Sequence, residues 1–208
     1  MNVVLYGASG MIGSRILAEL VRRGHTVIAV VRNPEKIKTS GVKVTKGDIN
    51  DEASVASTAK GADVAISAYA PPHSDPEAVV RAARSLLSGL KKANLQSIIL
   101  VGGAGSLQIA PGVRLVDTPN FPAEWKDIAL AHANVLPVLK ASDAEWSCLS
   151  PAAMIAPGER TGKFRLGGTD LLTDDKGERR ISAEDYAVAL VDELEVPKHI
   201  RQQFTVAY

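Results

Sequence analysis

The sequence predicts an α/β fold: a doubly wound, mostly parallel sheet with helices on both faces, forming a single domain over residues 1–208. Three observations support it. Short runs rich in β-branched residues alternate with stretches of helical spacing through the first half of the chain, the order that builds a parallel sheet through helical crossovers. A glycine-rich turn, Gly7-Ala8-Ser9-Gly10-Met11-Ile12-Gly13, joins the first apolar run to the first helical stretch. No repeat or low-complexity linker divides the chain, and 208 residues can be organised around one core.

Taken in order, Val3-Val4-Leu5-Tyr6 is a strand, and Ile12, Ile16, Leu17, Leu20 and Val21 give helical spacing over 14–23, stopped by Gly24. Residues 26–31 are the second strand, closed by Arg32-Asn33-Pro34, with Pro34 opening a helical turn. Residues 42–45 are the third strand, and Asp51 caps a short helix that ends at Gly61. The fourth strand, 63–67, runs into Ala68-Tyr69-Ala70-Pro71-Pro72, where the prolines exclude helix. A long helix over 75–93 places Val79, Ala83, Leu86, Leu90 and Ala93 on one face. The fifth strand, 97–101, leads into the loop Gly102-Gly103-Ala104-Gly105-Ser106.

The second half departs from this alternation. Residues 107–121 form a long connection with Pro111 and Pro119, and connections of that length in a compact domain are usually functional, often lids. The helix over 123–141 contains Pro137, which removes a backbone bond to Ala133 and predicts a kink. A sixth strand over 146–150 is followed by a second long loop, 151–168. Ser182-Ala183-Glu184-Asp185 is a capping box for a last helix carrying Tyr186, Ala189, Leu190 and Leu194, and 203–207 is the final strand. Loops at 107–125 and 151–170 are the expected substrate side, beyond the C-terminal ends of the strands.

Composition excludes several function classes. With 46% apolar and 23% charged residues, the chain is ordinary globular protein. Its 24 basic and 23 acidic residues form no basic block, which argues against a nucleic-acid or membrane-surface partner. The one cysteine, Cys148, lies in an apolar run and reads as a buried small hydrophobe, so neither an internal disulfide nor a cysteine-cluster metal site is expected. No cleavable leader is expected before the first strand, and no apolar run reaches the roughly 18 residues of a membrane span. A cytoplasmic monomer or homodimer acting on a small molecule is the expectation.

The glycine turn carries the chemistry. Strand, glycine turn and helix together present bare backbone N–H groups to a phosphate at a helix N-terminus. Gly7 makes the tight turn, Gly10 lets backbone approach a pyrophosphate, and Gly13 lets the helix pack on the strand. In this context the turn predicts a Rossmann-type dinucleotide site that includes Ser9, Met11 and Ile12. At the end of the second strand an NAD site usually places an acid against the ribose 2′-hydroxyl. This chain has Val30-Val31-Arg32-Asn33 there, and Arg32 can grip a 2′-phosphate in a charge-assisted, bidentate contact. NADP(H) is therefore expected over NAD(H). Asp48 and Ile49 are expected to flank the adenine, although Asp48 also suits a turn. Ala68, Tyr69 and Ala70 are expected along the pyrophosphate and the nicotinamide ribose. Gly103, Pro151 and Ala152 complete the cofactor set.

Several stretches together resemble a known family. Gly7-Ala8-Ser9-Gly10-Met11-Ile12-Gly13, Val31-Arg32-Asn33-Pro34, Val101-Gly102-Gly103-Ala104-Gly105-Ser106-Leu107, Ser150-Pro151-Ala152-Ala153 and Pro157-Gly158-Glu159-Arg160-Thr161-Gly162-Lys163 occur in that order. Over essentially the whole chain the sequence resembles the atypical short-chain dehydrogenases/reductases with NAD(P)H-binding folds, namely the NADH-flavin reductase-like proteins and biliverdin reductase B. The resemblance implies hydride transfer from NAD(P)H to a flavin, a quinone or another planar acceptor, with FMN or FAD as substrate and not as a tightly bound group. Two departures stand out. The Tyr-x-x-x-Lys pair of typical short-chain dehydrogenases is absent from Trp125-Lys126-Asp127-Ile128-Ala129-Leu130-Ala131-His132. The histidine that biliverdin reductase B carries after its sixth-strand proline is absent from Pro151-Ala152-Ala153-Met154-Ile155.

Without that pair, chemistry would rest on positioning the hydride donor and acceptor. Ser106, at the end of the fifth strand, is the candidate catalytic residue, as a hydrogen-bond donor to the acceptor; it equally suits bonding to its own loop. His132 and His73 are further titratable candidates, each with a structural alternative. Tyr69, Leu107, Phe121, Trp125, Met154 and Ile155 are expected to line the acceptor pocket. Arg160, with Lys163 and Arg165, is expected to hold a substrate carboxylate or phosphate. The leading expectation is an NADPH-dependent oxidoreductase; the alternative is a non-catalytic NADP(H)-sensing, NmrA-like regulatory protein. A sugar-nucleotide epimerase or dehydratase fits less well, because the tyrosine and a substrate domain are lacking.

Overall fold

The computed structural model describes residues 1–208. In chain order its elements are β1 (Asn2–Tyr6), α1 (Met11–Arg22), β2 (Thr26–Val31), β3 (Lys43–Lys46), α2 (Glu52–Thr58), β4 (Val64–Ser67), α3 (Ala78–Lys92), β5 (Ser97–Val101), β6 (Gln108–Ala110), β7 (Val113–Arg114), α4 (Ala123–Ala133), α5 (Val135–Lys140), β8 (Glu145–Pro151), β9 (Met154–Ala156), β10 (Arg165–Gly167), β11 (Arg180–Ser182), α6 (Ala183–Glu195) and β12 (Gln202–Ala207). None of these helices is long and apolar enough to cross a membrane.

The central strands are apolar along their length because both of their faces are covered. In β1, Val3 and Leu5 enter a core under α1 and α6, while Val4 and Tyr6 enter a second core under α2, α3 and α5. β4 repeats the division with Val64 and Ile66 against Ala65, and β5 with Ile99 against Ile98 and Leu100. Period-2 alternation thus feeds two cores, which is why these strands read as unbroken hydrophobic runs. Full burial of a side chain such as Leu5 or Leu86 stabilises the fold by about 1.5–3 kcal/mol.

Eight strands form the main sheet in the order β10-β12-β8-β5-β4-β1-β2-β3. Every pairing is parallel except β10 with β12. The chain runs outward from β1 through β2 to β3, then returns to lay β4 on the other side of β1. This reversal makes the ends of β1 and β4 the switch point, where doubly wound sheets open a crevice for ligands.

The long loops contain more structure than expected from sequence. Within 107–121, β6 and β7 form a small antiparallel hairpin turned at Gly112, whose φ is +76°. The hairpin is tied to the other long loop: Gln108 N–H donates to Thr169 O at 2.8 Å, and Leu171 N–H to Gln108 O at 2.8 Å. β9, β10 and β11 were not expected, because strands of three residues are too short to show a period. The helix expected over 123–141 is interrupted at Asn134, as Pro137 has no N–H to offer the Ala133 carbonyl. The capping box at Ser182 forms only half its bonds. Ser182 Oγ accepts from Asp185 N–H at 2.9 Å, but the buried Asp185 carboxylate accepts from Thr161 Oγ1, Gly162 N–H and the Tyr208 hydroxyl.

Candidate functional site

At the switch point, each glycine of the turn meets a different constraint. Gly7 has φ +79° and a Cβ there would stand 2.5 Å from Ala68 O, so the turn fits closely against the end of β4. A Cβ on Gly13 would stand 2.1 Å from Gly7 O, so only glycine lets α1 pack this near the turn. Gly10 differs: its Cβ would have nothing nearer than Gly7 O at 3.5 Å, and the space over it is open. The N-terminus of α1 has no side-chain cap and no acid in its first turn. The first-turn N–H groups, at Met11, Ile12 and Gly13, are therefore left for an external acceptor, with the positive end of the helix dipole behind them.

An open cleft runs from this turn to the ends of β2 and β3. It brings together Gly7, Ser9, Gly10, Arg32, Asp48, Ile49, Ala68, Tyr69 and Ala70, all expected at a cofactor, and adds Asn33 and Lys36. Arg32 and Lys36 are exposed. The arginine–carboxylate pairs of the chain lie elsewhere, at Arg15, Arg22, Arg23, Arg81, Arg114, Arg160 and Arg180, which leaves these two cations unpaired in the cleft. Lys36 was overlooked from sequence. The signal was present, because the turn opened by Pro34 returns the chain so that Lys36 sits beside Arg32 at the cleft. Asp48 also organises its own turn: Oδ1 accepts from Asn50 N–H at 2.9 Å and from Asn50 Nδ2 at 3.1 Å. The first-turn cradle and the free approach over Gly10 fit a nicotinamide dinucleotide, and Arg32 and Lys36 stand unpaired at the far end of the cleft.

Beyond Tyr69 the cleft adjoins a small apolar cavity lined by Ser67, Leu100, Gly102, His132 and Cys148. His132 rests against Gly103, at the end of β5. Burial pushes its pKa down to about 4, so the ring is neutral near pH 7. Cys148 is pushed up to about 12 by burial and is no nucleophile. Tyr6 is likewise pushed up to about 12 by burial, with its hydroxyl 2.9 Å from Thr58 Oγ1. Ser106 lies at the expected place, but its hydrogen is committed: Oγ donates to Gly103 O at 2.9 Å and accepts from Gln203 Nε2 at 2.7 Å. The same Gln203 nitrogen donates to Ser150 Oγ at 2.9 Å, so Ser106 braces the loop after β5 to β8 and β12. Gln203 had no signature in the sequence, since a polar residue in a final strand reads as solvated. Pro151 and Ala152 are buried at the end of β8.

The expected acceptor pocket is not assembled as a unit. Leu107 is fully buried, and its side chain belongs to the protein interior. Phe121 is half-buried. Met154 and Ile155 lie on β9, which pairs with β11, and Met154 opens onto a separate groove with Lys163, Arg180 and Tyr208. Arg160 corrects a second expectation. Its guanidinium forms a bidentate pair with Glu19 of α1, at 2.9 Å through both Nε and Nη2. The carboxylate is 4% exposed and also takes Arg22 and Arg23 at 2.7 Å each. The stretch Pro157-Gly158-Glu159-Arg160-Thr161-Gly162 is thus a strap fixed to α1 and α6: Gly158 N–H donates to Glu184, Ser182 Oγ to Glu159 O, and Thr161 Oγ1 to Asp185. Arg165 donates to Tyr208 O at 2.6 Å, so the basic residues of this loop do not converge. Trp125 is exposed, with its ring 5.2 Å from that of His73.

The profile of the NAD(P)H-binding family matches residues 7–197. The chain belongs to the NAD(P)H-binding family. Among solved structures, a proposed exported protein from Burkholderia pseudomallei is 47% identical with a TM-score of 0.91, covering 100% of both chains. A proposed epimerase from Bacteroides thetaiotaomicron is 42% identical with a TM-score of 0.93, covering 100% of this chain and 96% of its own. A proposed NADH-flavin reductase from Streptococcus pneumoniae is 34% identical with a TM-score of 0.90, covering 99% and 98%. These neighbours are consistent with an atypical short-chain dehydrogenase/reductase of oxidoreductase-like type, and the nicotinamide cofactor follows from the family.

Proposed function

We propose that the chain is an NADPH-dependent reductase that passes hydride to a flavin, a quinone or a similar planar acceptor. The observation that carries this reading is one cleft with a bare helix N-terminus at one end and unpaired Arg32 and Lys36 at the other. An NAD-type site would set a carboxylate at the end of β2. Here the nearest acid in sequence, Glu35, does not line the cleft, and Asp48, which does, follows β3 and holds Asn50 with its Oδ1. Ser9, Gly10 and the first turn of α1 hold the pyrophosphate, and Arg32 with Lys36 holds the 2′-phosphate. Asp48 and Ile49 flank the adenine, Ala68 to Ala70 follow the ribose, and Gly103, Pro151 and Ala152 back the nicotinamide.

When bound, the reduced nicotinamide supplies a hydride. What the chain itself adds is position, because neither Ser106 nor His132 is a free proton donor. Ser106 is bonded to its loop, and His132, neutral near pH 7, is too weakly basic to be protonated at that pH. Such a site favours acceptors that, once they have taken the hydride, draw their one proton from water, as flavins and quinones do. The neighbour described as an NADH-flavin reductase supports this choice. The missing acid–base pair also favours a second reading, a non-catalytic NADP(H) sensor.

Titration of the wild type and of Arg32→Ala with NADPH and NADH tests the cofactor assignment. Loss of a charge-assisted, bidentate phosphate contact should weaken NADPH by about tenfold to a hundredfold and leave NADH within about twofold. Equal losses for both cofactors would overturn the assignment.

A further inference from the structure

Tryptophan is costly to leave in water, since few side chains offer as much apolar surface. Of the two tryptophans, Trp146 is 1% exposed and Trp125 is 49% exposed. Trp125, Ala129 and His132 share one face of α4, at i, i+4 and i+7. Gly105 packs against Ala129 and Gly103 against His132, so this face is seated on the end of β5. Helical side chains lean toward the helix N-terminus, and Trp125 lies in the first turn of α4, away from the packed Ala129 and His132. There it meets His73, with centroids 5.2 Å apart and planes at 59°. His73 comes from the loop after β4, whose first residues, Ala68, Tyr69 and Ala70, line the cofactor cleft. The two rings therefore bridge the segments that follow β4 and β5. Both are exposed, and neither belongs to either hydrophobic core.

We propose that Trp125 and His73 form the platform on which the planar acceptor, an isoalloxazine ring, stacks beside the nicotinamide. The proposal rests on the reductase reading above and adds the residues that choose and orient the acceptor. At 59° the rings make two adjoining walls, not a closed stack, so a flat ring can lie on the indole with an edge against the imidazole. Offset-stacked and tilted contacts of this kind are the ones aromatic groups favour. The pair accounts for an acceptor site in which Leu107, Met154 and Arg160 take no part.

The test uses FMN and two readouts. The first is emission of Trp125, which a solvent-exposed indole separates from buried Trp146, during FMN titration of the NADP⁺-loaded protein. The second is steady-state NADPH oxidation with FMN by the wild type, Trp125→Ala, Trp125→Phe and His73→Ala. FMN should quench Trp125, Trp125→Ala should raise the FMN KM about tenfold with the NADPH KM unchanged, and Trp125→Phe should restore most of it. His73→Ala should raise the FMN KM severalfold. Turnover with FMN but no quenching, or an unchanged FMN KM in Trp125→Ala, overturns the platform and leaves the reductase standing. Quenching without turnover on any acceptor supports the platform and overturns the reductase. If Trp125→Ala does not fold, Trp125→Leu and the quenching titration decide the matter.

Discussion

Gly13→Ala and Gly10→Ala separate the two jobs of the glycine turn. Ordinary contact begins near 3.4 Å, and an alanine Cβ at position 13 would stand 2.1 Å from Gly7 O and 2.9 Å from Gly7 C. Both are backbone atoms, so no side chain can swing aside, and α1 must move off the turn by about 1.3 Å. Overpacking of this kind costs about 3 kcal/mol, the upper end of the usual range. For a domain of this size that lowers Tm by about 6–12 °C. At position 10 the nearest atom would be 3.5 Å away, so Gly10→Ala should keep Tm within about 2 °C. Its methyl group would occupy the path of the pyrophosphate, and NADPH affinity should fall about tenfold or more. Thermal unfolding without ligand reads the first effect, and NADPH titration at a temperature where both variants are folded reads the second. A wild-type Tm for Gly13→Ala, or undiminished NADPH binding by Gly10→Ala, would contradict these separate roles.

Two further outcomes concern residues outside the cleft. Burial holds His132 near pKa 4 in the folded chain, against the ordinary 6.5 when unfolded. Between those values the unfolded chain binds more protons, so stability falls as pH is lowered through the window. His132→Gln should abolish up to about 3 kcal/mol of that fall, measured by urea unfolding from pH 7 to 4, and an identical pH slope in the variant would contradict it. Arg160→Ala leaves Glu19 paired with Arg22 and Arg23 and should cost only about 1 kcal/mol in stability. The KM of any acceptor, including one with a carboxylate, should not move in that variant; a raised KM would return Arg160 to the substrate site.

The parts of the fold legible in the sequence are those dictated by local chemistry. Alternation within β1, β4 and β5 is buried on both faces, and the glycine spacing answers to backbone so close that an added Cβ would stand only 2.1 or 2.5 Å from it. Arg32 could be placed because it directly follows a strand. The acceptor side was harder to read, since its residues come from distant segments. Arg160 looks like a substrate cation until α1 brings buried Glu19 beneath it, 141 positions away in sequence. Ser106 looks like a free donor until Gln203, on β12, closes the network around it. Met154 and Leu107 are apolar loop residues in sequence, and only tertiary packing sends one to a separate groove and the other into the interior. The Trp125–His73 pair joins two loops whose approach has no local code.

The most direct test of the central claim is NADPH oxidation by the purified protein with FMN, FAD, riboflavin or a simple naphthoquinone, followed as loss of reduced-nicotinamide absorbance. Sustained turnover is expected with at least one of these planar acceptors, with kcat/KM for NADPH about tenfold or more above that for NADH. Tight NADPH binding with no turnover on any of them would contradict it and favour the sensor.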